Sequence, residues 1–197
     1  MDLFYAQNLE DYHLAQAFAD RADGFYVDIG AGHPVADNVS FSFYLRGWRG
    51  LVVEPQRRLA ELYGHVRPRD GVFAGLAADR IGEAEFHEVE SMHGFSTMLP
   101  DAAQAARDLG ASVATVTVPV TTLAALLAEH GVEKVDFLKI DVEGAEAQVL
   151  AGADWSRWRP RIIVLEAVAP GSMAPAWEAW EPMLTSNGYR FGLFDGL

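Results

Sequence analysis

The chain has 197 residues, half of them hydrophobic and 22% charged, with a formal net charge of -13 and no cysteine. That length and composition suit one globular domain with a full core rather than a disordered chain. The absence of cysteine excludes disulfides and thiolate metal ligands and is compatible with a reducing compartment, the acidic surface repels phosphate backbones, so nucleic acid is not an expected partner, and no run of about 18 apolar residues is present to span a membrane. The N-terminal stretch carries Asp2, Glu10, Asp11, Asp20 and Asp23 and lacks a signal-peptide core, which gives a cytoplasmic expectation.

Strand and helix patterns alternate along the chain. This predicts an α/β domain with a mostly parallel sheet covered on both faces. A lead-in helix is expected over 12–22 and a first strand over 25–30. Pro34 can start a helix after the following glycines, because its missing N–H would be an orphan there anyway. A second strand spans 51–54, and Leu59, Leu62 and Tyr63 give a helix over 56–63 that Gly64 ends. A third strand is expected over 72–77, a half-exposed strand over 83–89, a loop over 91–97 and a helix over 101–109. Residues 113–120 alternate again, and Thr122 or its neighbour caps a helix closed by Gly131. Buried strands follow over 135–140 and 161–165, with a short helix over 144–151 between them. The last helix is expected over 175–187, with Trp177 and Trp180 on one face, and a final strand starts over 189–194.

In an open parallel sheet, ligands sit beyond the carboxyl ends of the strands. The sequence places a Gly-x-Gly turn at the first of those ends, in Phe25-Tyr26-Val27-Asp28-Ile29-Gly30-Ala31-Gly32, and an acid, Glu54, at the second. Glycines let the backbone approach a ligand, and an acid there can accept hydrogen bonds from ribose hydroxyls. A dinucleotide fingerprint would need a third small residue at position 35, where this chain has Val35. That weighs against a nicotinamide oxidoreductase. It leaves a nucleoside ligand without a pyrophosphate, such as S-adenosyl-L-methionine, which has no such requirement.

Asp141 and Glu143 follow the strand ending at Ile140, and Glu146 falls in the first helical turn, where an acid also serves as a simple cap. Asp141 is placed to orient a substrate hydroxyl, accept its proton or hold an ammonium group. Glu166 ends the next strand and either faces the same cleft or is solvated as an ordinary strand terminus. The acids match no specific metal signature, so no metal site is expected. His33 lies on the glycine turn and is a second candidate base, whereas His87 and His93 carry little signal.

These stretches resemble the FkbM-type methyltransferase domain, a class I S-adenosylmethionine-dependent family. The resemblance runs from Tyr5-Ala6-Gln7-Asn8-Leu9-Glu10-Asp11 through Gly24 to Ala31, Phe43-Tyr44-Leu45-Arg46-Gly47-Trp48-Arg49-Gly50, Val53-Glu54-Pro55, Ser96-Thr97-Met98 and Val118-Pro119-Val120-Thr121-Thr122-Leu123. Its most specific piece is Phe137-Leu138-Lys139-Ile140-Asp141-Val142-Glu143-Gly144-Ala145-Glu146. The resemblance implies a Rossmann-like methyltransferase sandwich, methyl transfer to an oxygen nucleophile and S-adenosyl-L-methionine as cofactor. It implies that Asp28, Gly30, Ala31 and Gly32 line the methionine end, Glu54 and Pro55 the ribose and Ala77 the adenine, with Asp141 and Glu143 near the transferred methyl. Similar domains are often joined to glycosyltransferases of surface-polysaccharide pathways, so a glycan or other small-molecule hydroxyl is the expected acceptor and a fused or associated glycosyltransferase the expected partner. A catalytically silent cofactor-binding module is the alternative. Residues 1–197 are expected to form a single domain that stops where the family continues into a final antiparallel strand, as a truncated or partial chain would, leaving a sheet edge without a partner.

Overall fold

The computed structural model describes residues 3–89, 96–169 and 174–196. Its centre is a five-stranded parallel sheet formed by β1 (Phe25–Ile29), β2 (Arg49–Val53), β3 (Gly71–Phe73), β7 (Phe137–Ile140) and β8 (Ile162–Leu165), in the order β3-β2-β1-β7-β8. The order reverses at β1, so the crevice between the ends of β1 and β7 is the place where such a sheet takes a ligand. β1, β2 and β7 are buried along nearly their whole length because helices cover both faces, which is why they read as continuous apolar runs.

On one face α5 (Leu123–Glu129), α6 (Glu146–Ala151) and α7 (Glu181–Ser186) bury Leu126, Leu127, Val149, Leu150 and Leu184 against Val27, Ile29, Leu138 and Ile140. On the other, α1 (Glu10–Ala17) and α2 (Phe41–Leu45) bring Phe18, Phe43 and Trp48 onto Tyr26 and Phe137. Each fully buried aliphatic or aromatic side chain contributes about 1.5–3 kcal/mol. Thr122 caps α5 as expected, its hydroxyl accepting from the Ala125 N–H at 3.1 Å.

Some boundaries differ from the sequence reading. The lead-in helix is confined to Glu10–Ala17, and the chain after Pro34 runs through turns before α2. α3 spans Arg57–Val66 and passes through Gly64, because the C-terminal neighbour Arg67 is anchored inside the protein and donates its backbone N–H to Tyr63 O at 2.7 Å. The expected third strand is two. β3 stays in the main sheet, the chain turns at Gly75, and β4 (Leu76–Ala78) joins a second sheet in the order β4-β6-β5, with β5 (Gly82–Val89) and β6 (Val113–Thr122). Gly75 permits this because a Cβ there would collide with the Pro119 carbonyl. α4 (Pro100–Asp108) packs on that second sheet.

The last helix is broken into a 3₁₀ turn over Trp177–Ala179 and α7, which carries Pro182 in its first turn. Proline has no N–H to donate and its ring clashes with the carbonyl four residues earlier, so no single helix can run through it. Trp177 and Trp180 still both pack on the core face of the sheet. Residues 189–196 form no strand, and residues 189–195 line a groove of about 810 Å³ whose other wall is β8, the edge of the main sheet. Most of the expected loop over 91–97, with His93, lies outside the described residues. Among the described residues, no helix is long and apolar enough to cross a membrane.

Candidate active site at the strand ends

The glycine turn is strapped to the end of β2. The N–H groups of Gly30 and Ala31 both donate to Val53 O, at 2.9 and 3.2 Å. Gly30 has φ +71°, and a Cβ on it would collide with the backbone carbonyl of Asp141. Gly32 has φ +61° but open space around the same position. The two glycines are therefore required for different reasons, close approach at Gly30 and backbone conformation at Gly32. Gly30→Ala is expected to abolish the ordered turn, whereas Gly32→Ala costs only the left-handed conformation, about 1–2 kcal/mol. Thermal melts of the two variants check this, and equal losses would contradict it.

Glu54 meets the turn. Its carboxylate accepts from Gly32 N at 2.8 Å through one oxygen and from Gln56 N at 2.8 Å through the other. The residue is 2% exposed, and burial pushes its pKa up to about 7, against the two backbone hydrogen bonds. A carboxylate has about four acceptor positions, so both oxygens keep capacity for a further donor. Pro55 beside it is half-buried.

Behind the turn lies a buried polar network centred on Arg67, which is 0% exposed. Its guanidinium donates to Asp70 at 2.8 Å, Asn38 Oδ1, Tyr26 Oη and Ser40 Oγ each at 2.9 Å, and Pro34 O at 3.3 Å. Ser40 in turn donates to Asp28, and Asn38 and Tyr63 both donate to Ala31 O. The ligand-side turn is thus held from beneath by one side chain that the sequence reading passed over.

Asp141 leaves the end of β7 with its side chain 44% exposed. It is gathered with Glu143 and Glu166; one oxygen of each lies within 4.8 Å of the others. Glu166, ambiguous from sequence, therefore faces the shared cleft. Glu143 sits at φ +55° and its pKa is pushed up to about 9, by burial first and then by repulsion from Glu166, Asp141 and Glu146. Glu166 is pushed up to about 8, again by burial first and then by Asp141 and Glu146. Three carboxyl groups at this spacing can share protons and donate to hydroxyls; the same span would admit a divalent cation. Glu146 does not cap α6 but folds back on the loop before it, accepting from Val142 N and Gly144 N at 3.1 and 3.2 Å.

These raised acids set the sign of a pH effect. Their folded pKa values stand above the ordinary 4.5, so their contribution to stability is complete below about pH 4.5 and is lost as pH rises through about 8 to 9. The melting temperature is expected to fall between about pH 6 and 9, and Glu143→Gln to flatten the fall, at roughly 2–4 °C per kcal/mol for a chain of this size. Calorimetry over that range gives the answer, and a constant melting temperature would contradict it.

Lys139 is a charged residue at this edge that the sequence reading passed over. It lies opposite Asp28 in the β1–β7 register, 7% exposed. Its ammonium donates to Gly30 O at 2.7 Å and lies 3.3 Å from Asp141 and 3.5 Å from Asp28. The signal was available: a lysine inside a buried apolar strand must find acids.

Two expected residues have surroundings of their own. His33 is exposed, and its Nδ1 accepts from the backbone N–H groups of Val35 and Ala36 at 3.2 and 3.0 Å, tying the ring to its own turn. Ala77 is buried in the core with Leu123 and Leu150. Its neighbour Ala78 abuts Gly152, at the other end of α6 from the acids. Phe73, which ends β3, and Ala74 directly after it occupy the ligand-side edge instead. His87 is buried on β5, paired with Thr115.

A family model described as the methyltransferase FkbM domain matches residues 28–191. Among curated proteins, the chain is similar to methyltransferase sdnD of Sordaria araneosa, with 40% identity over 62 residues, 31% of this chain and 23% of that protein. The aligned stretch thus spans less than a quarter of that relative's length. No solved structure matches the chain.

Proposed function

The chain belongs to the methyltransferase FkbM domain family, matched across residues 28–191, and from that footing we propose that it transfers a methyl group from S-adenosyl-L-methionine to a hydroxyl oxygen of a sugar or glycan. The observation that carries this reading is the meeting of the glycine turn with Glu54 and, across β1 and β7, with Asp141 at one sheet edge. The residues present fit that cofactor. The space over Gly32 is open to a ligand, and the Asp141 carboxylate reaches solvent.

When bound, the cofactor supplies an electrophilic methyl sulfonium. Asp28, Gly30, Ala31 and Gly32 would hold its methionine end, Glu54 and Pro55 the ribose, and Phe73 and Ala74 would border the adenine in place of Ala77. The chain's catalytic work is then alignment of the acceptor oxygen, which can contribute roughly 7–11 kcal/mol, and removal of its proton by Asp141, a contribution of about 10²–10⁴-fold. Glu143 and Glu166, protonated at neutral pH, donate hydrogen bonds to neighbouring hydroxyls. A polyhydroxylated acceptor suits a cleft that offers both an acceptor and donors.

Glu54→Ala is expected to weaken binding of S-adenosylhomocysteine by about 10–100-fold, the value of a hydrogen bond to a charged group. A calorimetric titration showing equal affinity would count against the ribose role. The activity is tested by incubating the protein with methyl-labelled S-adenosyl-L-methionine and a panel of nucleotide sugars and glycans, with mass spectrometry of the products. Label is expected on a hydroxyl oxygen; label confined to nitrogen, or to non-sugar acceptors supplied alongside, would reject the acceptor class.

A further inference from the structure

The chain contains two lysines, Lys134 and Lys139, in opposite surroundings. The side chain of Lys134 is 67% exposed, and that of Lys139 is 9% exposed. We propose that Lys139 is a positioning residue that sets the ligand-binding turn, with one ammonium holding the Gly30 carbonyl inward and tying to it the acids of two neighbouring strands, Asp28 and Asp141.

An ammonium has three donors and no acceptor. Lys139 finds Gly30 O at 2.7 Å, Asp141 Oδ2 at 3.3 Å and Asp28 Oδ1 at 3.5 Å. The Gly30 N–H is already committed to Val53 O. With its carbonyl held by Lys139, both polar groups of the residue are fixed, and the turn that follows can enter the site in one orientation. Asp28 is 0% exposed, and its Oδ1 has no hydrogen-bond partner, so the ammonium is what compensates it. Burial works against the charge of Lys139, and Asp141 and Asp28 outweigh it. Glu143, Glu166, Glu54 and Glu10 also feel this charge from the surrounding elements. Arginine would not reproduce the clamp, because a planar fork cannot address three acceptors arranged around a point.

This role rests on reading the turn as the cradle of S-adenosyl-L-methionine, and the test separates the two. In the wild-type protein labelled with ¹⁵N-lysine, the buried ammonium is expected as one slowly exchanging Nζ signal beside the averaged signal of Lys134, and S-adenosylhomocysteine is expected to shift it. Lys139→Met keeps the length and removes the charge. Folded Lys139→Met is expected to bind S-adenosylmethionine and S-adenosylhomocysteine more weakly by the same factor, about tenfold or more, equivalent to ~1.4 kcal/mol or more. Lys139→Arg is expected to restore only part of that affinity. A lysine that acted merely as a nearby charge would instead repel the sulfonium, and its removal would tighten S-adenosylmethionine relative to the neutral thioether.

The proposal is overturned if folded Lys139→Met binds both ligands within about twofold of wild type, or if the Lys139 signal exchanges as fast as that of Lys134. Should Lys139→Met fail to fold, the wild-type signal decides. A wild-type chain that shows the slow ammonium but binds neither ligand overturns the cofactor reading and leaves the clamp standing.

Discussion

Replacing Asp141 with Asn is expected to leave cofactor affinity within about twofold of wild type and to lower turnover by about 10²–10⁴-fold, the range supplied by a positioned base. Asn keeps the shape of the side chain and an oxygen for Lys139, 3.3 Å away, so the turn stays in place. What it loses is the capacity to take a proton. Glu166 and Glu143 are poorer bases at neutral pH, because burial first, and then repulsion from neighbouring acids, favours their protonated forms. Single-turnover kinetics alongside a binding titration separate the two effects. Unchanged methyl transfer in this variant would remove Asp141 from the role, and a parallel loss of affinity would make it a binding residue instead.

The largest expected stability effect is at Arg67. Arg67→Leu removes the guanidinium that pairs with Asp70 at 2.7 Å and leaves that buried carboxylate, among the described residues, with Tyr26 and Gly50 as donors. Breaking one side of a buried ion pair costs about 3–5 kcal/mol, which lowers the melting temperature by roughly 6–20 °C at 2–4 °C per kcal/mol. The rings of Tyr26, Tyr44 and Tyr63 also lose a cation held 4.9 to 5.5 Å from their centres. The change spreads to the site, because Arg67 holds Pro34, Asn38 and Ser40 beneath the glycine turn. Differential scanning calorimetry is the check; a drop below about 2 °C would show that the network is dispensable.

The contrast between Asp141 and Arg67 shows what a sequence of this kind discloses. The strands of the main sheet were readable because a parallel strand buried on both faces is an apolar run, and each run ends where the chemistry begins, at Gly30, Glu54, Asp141 and Glu166. Position along a strand then fixes position in space, which is how four separate segments could be assigned to one edge. Lys139 and Arg67 escaped because their meaning lies in partners distant along the chain: Gly30 for one, Tyr26 and Pro34 for the other. Local patterns also misled where tertiary contacts overrode them. Gly64 ends no helix because Arg67 pulls the chain onward into the core. The stretch after Phe73 reads as one strand, yet the close approach of Pro119 to Gly75 turns it into a second sheet and carries Ala77 away from the cleft. Pro182 was visible in the sequence and should have divided the last helix.

The proposed cradle of the cofactor is the edge formed by Gly30, Gly32 and Glu54, with Asp141 beside it. A crystal structure with S-adenosylhomocysteine bound tests it most directly. Ribose hydroxyls are expected on the Glu54 carboxylate, and the thioether sulfur on the Asp141 side of the glycine turn. A ligand seated in the groove along β8, or with Glu54 turned away from its ribose, would contradict it.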